Sequence, residues 1–366
     1  MRPPAHPILR LSVLMVLLSL VACAAPLLKP TERLAGHTAR VMDLTWSPDG
    51  KLVASCGFDG TVRIWDGRKQ APKTVLNVES PWVLSVVWSP DGKRLVSTTN
   101  TSVEIWDPAT GDKVASMVTG PAAAHGPRNI YAAWSPDGGL LALYGWADGT
   151  IRIVKAVDGA EAAVLKGHTA MVSSVEWSKD GKRLVTAGWD KKLRFWDTGS
   201  WAEKSHMDID VSGVIKIAWS PDGKRLSWHG YLDKELVLWD AASEKMERRL
   251  AVPAGITSAA WGPDAKMIAI AGGDGVLRVW DASTGKEKSS LGHENRIDRM
   301  AWSPDGSRIA TVPFSENIVR VWKTGTGEVE PLLGNAGSVT ALAWSRDGKL
   351  LATGNYDGSV LLWDNF

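Results

Sequence analysis

The chain is poor in the residues that usually carry covalent or metal chemistry. Only two of its 366 residues are cysteine, Cys23 in an N-terminal leader and Cys56 in an apolar stretch. Once Cys23 is modified or removed, no disulfide can form within one chain, and Cys56 reads as a small core residue. The seven histidines are His6, His37, His125, His168, His206, His229 and His293. None has the H-E-x-x-H spacing of a zinc site, and His293-Glu294 lacks its second histidine. There is no C-x-x-C, no P-loop, no G-x-S-x-G and no G-x-G-x-x-G. An excess of one charge is missing too. The chain has 42 basic and 40 acidic side chains, and no long basic run that would suit a phosphate backbone. These absences leave no expected cofactor, metal or nucleic-acid partner. Phenylalanine and tyrosine number only four each, so aromatic character rests on 20 tryptophans.

Those tryptophans are periodic. Trp46, Trp88, Trp134, Trp177, Trp219, Trp261, Trp302 and Trp344 are spaced by 42, 46, 43, 42, 42, 41 and 42 residues. A second series runs Trp65, Trp106, Trp196, Trp239, Trp280, Trp322 and Trp363, with Val154 in the missing place. A fixed period in the low forties indicates a repeat architecture. The clearest copy is Gly167 to Asp197. It opens on Gly167-His168, passes Trp177-Ser178-Lys179-Asp180-Gly181, and closes on Leu193-Arg194-Phe195-Trp196-Asp197. Val172 to Trp177, Arg183 to Ala187 and Leu193 to Trp196 read as strands, and Glu161 to Leu165 as the outer strand of the copy before. Ser-Pro-Asp-Gly is a turn signal, with proline presetting φ, aspartate capping and glycine accepting positive φ. The repeated aspartate therefore reads as a cap, since EF-hand ligand spacing is absent. Four such strands cannot bury two apolar faces alone, whereas radial packing lets each sheet cover its neighbours. Burying one tryptophan stabilises by at most about 4–6 kcal/mol, so the core is ample.

The Gly-His opening, the Trp-Asp close and the period are similar to the WD-repeat family of β-propellers, over Thr31 to Asp364. The resemblance implies an all-β, eight-bladed propeller, with an orphan strand near Thr31 to Ala35 completing the last blade. It also implies a buried hydrogen-bonded set of His, Ser or Thr, Asp and Trp in each blade. Residue matching assigns His37, Ser55, Asp59 and Trp65 to blade one, and His168, Thr186, Asp190 and Trp196 to blade four. Blade eight has Asn335 in the histidine place, blade seven loses the aspartate, blade three lacks the tryptophan, and blades two, five and six keep less. Copies two and three are the least regular.

Residues 1–22 read as a signal peptide, 23–30 as a tether and 31–366 as the propeller. Arg2 and Arg10 give a basic start, and Leu11 to Ala22 is a twelve-residue apolar run, too short to span a bilayer. It ends Leu20-Val21-Ala22-Cys23, which resembles the bacterial lipobox. That implies lipidation of Cys23 and a ring held at the periplasmic side of a bacterial envelope membrane. The alternatives are cleavage at Ala22-Cys23-Ala24, releasing a soluble protein, and a buried core helix.

In the WD-repeat family partners dock mostly on the face carrying the Gly-His loops and the Asp turns. Two positions per blade point there, six before the first tryptophan and just before the turn aspartate. They single out Arg40, Phe58, Trp82, Arg128, Trp189, Arg296 and Tyr356 as partner-binding residues. Blades five and six offer only Gly213, Leu232, Gly255 and Gly273. Arginine and aromatic side chains dominate interface hot spots, so the expected function is a non-enzymatic, monomeric scaffold for a protein or peptide partner. The alternative is a periplasmic hydrolase or lyase with a site at the central channel. Trp201 and Trp228 fall outside the pattern.

Overall fold

The computed structural model describes residues 28–67, 72–118, 129–210 and 215–364. They form eight four-stranded antiparallel sheets, one per repeat. Blade four shows the plan: inner strand Val172–Trp177, then Arg183–Gly188, Lys192–Asp197 and outer strand Glu203–Asp208. The middle strands are buried on both faces because a neighbouring blade covers each face. Glu203–Asp208 is mostly exposed, and its sequence is correspondingly polar. Blades two and three have the shortest inner strands, Ser85–Trp88 and Tyr131–Trp134, of four residues each.

The chain closes its own ring. Glu32–Leu34 adds to Val360–Trp363 with Glu32 opposite Leu362 and Leu34 opposite Val360, completing blade eight. The free strand edge is thereby covered, and Thr31 Oγ1 donates to Asp364 at the same seam. Apolar clusters fill the gaps between blades. Leu34, Ala352 and Leu362 of blade eight pack on Val41, Trp46 and Trp65 of blade one.

The two tryptophan series do different work. Most of the first series donate the indole N–H to an inner-strand carbonyl of the preceding blade, such as Trp46 to Ala343 at 3.0 Å, Trp177 to Ala133 at 3.1 Å, Trp302 to Ala260 at 3.1 Å and Trp344 to Ala301 at 3.2 Å, whereas those of Trp88 and Trp219 are buried without an acceptor. The second stays within its blade. Trp65 donates to Ser55 at 2.8 Å, Trp106 to Ser97 at 2.9 Å and Trp322 to Thr311 at 2.8 Å. In blades five and six the hydroxyl place holds Trp228 and Ile270, and the N–H groups of Trp239 and Trp280 are buried without an acceptor. Trp228 instead fills the core between blades four and five. Trp201 stacks edge-on against Trp177, with centroids 6.0 Å apart.

Side chains also join the inner strands directly. Asp43 accepts from the Ser85 hydroxyl at 3.0 Å and the Val86 amide at 3.2 Å. Thr257 donates to the Ile297 carbonyl at 2.9 Å, and Thr340 to the Val41 carbonyl at 2.6 Å. At the far end of each blade the turn aspartate acts as a cap. Asp180 accepts from the Ser178 hydroxyl at 2.6 Å and the Lys182 amide at 3.0 Å, with Gly181 at φ 70°.

Candidate partner-binding face

The loops entering each inner strand and the turns after each second strand lie together at one end of the ring. Backbone hydrogen bonds tie the two within a blade. Phe58 N–H donates to Arg40 at 2.9 Å, Trp189 to Met171 at 2.8 Å, Phe314 to Arg296 at 2.8 Å and Tyr356 to Ser338 at 3.0 Å. The two positions read from the repeat are thus bonded neighbours. Gly57 permits this approach, since a Cβ there would lie 2.6 Å from the Arg40 carbonyl. Successive blades also interlock: Gly358, at φ 84°, faces the His37 carbonyl at a distance that would leave a Cβ only 2.7 Å away.

Buried polar sets fix these loops from below. His37 Nδ1 lies 2.9 Å from Asp59, and Nε2 lies 2.8 Å from the Ser55 hydroxyl. A carboxylate only accepts, so Nδ1 carries the proton and Nε2 accepts from Ser55. Asp59 also takes the Thr38 amide at 3.1 Å and the Thr61 hydroxyl at 2.8 Å. Burial works to raise the Asp59 carboxyl, but His37, Thr61 and the Thr38 amide together hold it well below the usual range. Blade four repeats the arrangement, with His168 2.9 Å from Asp190 and 2.8 Å from Thr186, and Trp196 donating to Thr186 at 3.0 Å. Burial lowers the His168 imidazole, with Asp190 opposing.

Blade seven solves the loss of its aspartate differently. Arg320 Nη1 lies 2.8 Å from His293 Nδ1 and 3.2 Å from Glu316, and His293 Nε2 lies 3.0 Å from Thr311. Arginine only donates, so His293 is the opposite tautomer, with its proton on Nε2. Burial and the Arg320 charge bring this imidazole down to about 4. In blade eight Asn335 accepts from Thr353 at 3.1 Å and donates to the Asn317 carbonyl at 3.0 Å.

Four of the residues chosen from the sequence form one patch across blades eight, one and two. The Arg40 guanidinium lies 5.3 Å from the Tyr356 ring centroid, and Phe58 and Trp82 have centroids 6.0 Å apart. Tyr356, Phe58 and Trp82 remain 60%, 37% and 51% exposed. Trp189 stands apart on blade four, 48% exposed. Arg128 lies outside the described residues, as do Cys23, His125 and Gly213.

Arg296 belongs to a second patch that the repeat register did not show. Its guanidinium sits 4.2 Å from the Phe314 centroid and donates to the Tyr231 hydroxyl at 3.0 Å. Tyr231, Leu232 and Phe314 are all exposed. Blades five and six, read as featureless, therefore carry part of the face. The glycines of blade six make room for it. A Cβ at Gly255 would lie 2.6 Å from the Leu232 carbonyl, and one at Gly273 3.7 Å from Leu232 Cδ2. Two glycines at both face positions of one blade were the available signal that a neighbour leans across. Chemically the arrangement offers donors and apolar surface. Among the described residues, no group of three or more His, Cys, Asp or Glu is placed to hold a metal ion.

Residues 28–66, 71–107, 159–197 and 328–364 match the family model described as WD domain, G-beta repeat. These are blades one, two, four and eight, in each of which the second tryptophan reaches a Ser or Thr hydroxyl. Residues 198–330 match the model described as Eukaryotic translation initiation factor eIF2A. Among curated proteins, B-type cell cycle switch protein ccs52B of Medicago truncatula is 29% identical over 46% of this chain and 37% of its own length. Protein FIZZY-RELATED 3 of Arabidopsis thaliana is 28% identical over 47% of this chain and 38% of its own. WD repeat-containing protein slp1 of Schizosaccharomyces pombe is 28% identical over 44% and 34% respectively. The chain spans less than two fifths of the length of these relatives. On its frame and its matches, the chain is an eight-bladed β-propeller that carries WD repeats.

Proposed function

We propose that this propeller is a non-enzymatic scaffold that binds a protein or peptide on the face carrying Arg40, Phe58, Trp82, Trp189, Arg296 and Tyr356, to which the repeat register adds Arg128, outside the described residues. The carrying observation is the continuous Tyr356, Arg40, Phe58 and Trp82 patch, exposed yet fixed from below by the His37 and Asp59 set. Exposed aromatic side chains held rigidly lose little freedom on binding, which favours affinity. A similar Arabidopsis thaliana protein, 27% identical over 45% of this chain, is called a cofactor of APC complex, a name that supports reading the ring as an adaptor. Crosslinking in cells identifies the partner, and binding is then compared for wild type, Phe58→Ala with Trp82→Ala, and Arg40→Glu. Losses of about 2 kcal/mol or more mark hot-spot residues. Unchanged binding by all variants removes this face.

The same reading makes the ring a monomer anchored through Cys23 at the periplasmic side of a bacterial envelope membrane. Support comes from the Leu11 to Ala22 run and the Leu20-Val21-Ala22-Cys23 boundary. Two or more acyl chains give stable anchoring where one is marginal. A globomycin-sensitive mobility shift that disappears in Cys23→Ala is the expected result. A protein that is soluble with or without Cys23 refutes the anchor.

A further inference from the structure

Arg40 and Arg296 differ from most arginines of this chain. Arg94, Arg194, Arg225, Arg278 and Arg320 each sit within salt-bridge distance of a carboxylate. Among the described residues, neither Arg40 nor Arg296 has such a partner, and Arg40 Nε is buried with no acceptor. Each is held in place instead by an aromatic ring, Tyr356 at 5.3 Å and Phe314 at 4.2 Å, and Arg296 is further fixed by the Tyr231 hydroxyl. Three carboxylates of these loops are already engaged. Asp59 is bonded to His37, Glu316 to Arg320 and Asn295, and Asp357 to Arg33. The arc from blade five through the loop entering blade two thus presents two stacked guanidinium groups without a carboxylate partner among exposed Tyr231, Leu232, Phe314, Phe58 and Trp82.

We infer that the partner segment is acidic and apolar together, an extended peptide whose carboxylates dock on Arg40 and Arg296 while its neighbouring side chains cover the aromatic surface. This rests on the scaffold reading above. A guanidinium offers a planar fork matched to a carboxylate, and stacking on a ring fixes its orientation before the ligand arrives. A phosphate backbone fits less well, since the chain's net charge is only +2 and the arginines without a carboxylate partner on this arc are two, not a tract. Leu232 at φ 63° and Ser315 at φ 60° flank Arg296. Such left-handed residues are costly and cluster at binding sites.

The test uses the purified protein and three short fluorescent peptides of one leucine-rich design, carrying glutamate, glutamine or lysine at the same places. Anisotropy is read at low and at high salt. The glutamate peptide binds at least about tenfold more tightly than the glutamine one, equivalent to about 1.4 kcal/mol, and salt narrows the gap. Arg40→Gln with Arg296→Gln abolishes that preference without moving the thermal midpoint. Arg40→Lys with Arg296→Lys keeps the charge, loses the fork, and falls between. Equal binding of glutamate and glutamine peptides overturns the inference. So does a preference that survives the double variant, or tighter binding of the lysine peptide or of single-stranded DNA. If charge proves irrelevant while Phe58→Ala with Trp82→Ala still loses the crosslinked partner, the scaffold reading stands and acid recognition alone falls.

Discussion

Single hydroxyls decide whether a blade's polar set is complete. Thr186 serves both His168 and Trp196, at 2.8 and 3.0 Å. Thr186→Val keeps the volume and orphans both groups, which costs about 1–3 kcal/mol, read as a lower urea midpoint with unchanged slope. Titratable groups give a second expectation. Burial raises the Glu176 carboxyl from 4.5 to about 7. The folded chain keeps a proton that the unfolded chain releases as pH passes 4.5, so this group's contribution falls up to about pH 7 and is constant above. Burial lowers His229 from 6.5 to about 4, so stability from that group falls as pH drops between those values. Glu176→Gln should therefore stabilise most at pH 8 and progressively less towards pH 4.5, by urea titration at each pH; an advantage independent of pH refutes the assignment. At this scale the sequence was a good guide where a spacing repeats. His37, Ser55, Asp59 and Trp65 sit as their register implied. It gave no hint of Glu176, whose burial depends on the blades beside it.

Loops and turns show how an element survives the loss of a repeat residue. Blade seven replaces a buried aspartate with Arg320 and Glu316, and its histidine changes tautomer to suit. The turn there places Ser315 at φ 60° on the surface. Left-handed backbone costs a non-glycine residue roughly 1–2 kcal/mol. Ser315→Gly is expected to recover part of that, raising the thermal midpoint, provided the turn keeps its shape; a lower midpoint shows that the serine is needed. Blade five illustrates what pattern reading misses. Leu232 crosses over the glycines of blade six, and only the leaning of one turn over the next blade brings Tyr231 to Arg296. Sequence spacing within a blade cannot report a contact that skips one.

The ring as a whole depends on three residues far from the rest of their blade in sequence. Glu32–Leu34 closes blade eight, and Leu34 is fully buried among residues of blades eight and one. A chain starting after Ala35 should expose the edge of Val360–Trp363, unfold at lower urea, and elute partly as oligomers on size exclusion, because an open strand edge pairs with another chain. A monomer of unchanged stability would show that closure rests on the inner-strand bonds, such as Thr340 to Val41, instead.

The repeat period, the paired tryptophans and the turn residues were enough to establish an all-β ring of eight blades and its closure by the first strand. Those are local signals copied eight times, so errors in one copy are outvoted by the others. What only the assembled ring decided is which exposed side chains meet. Arg40 finds Tyr356, and Arg296 finds Phe314 and Tyr231, because neighbouring blades set their loops side by side at one end. That proximity is a property of the circle's geometry, which no single repeat contains.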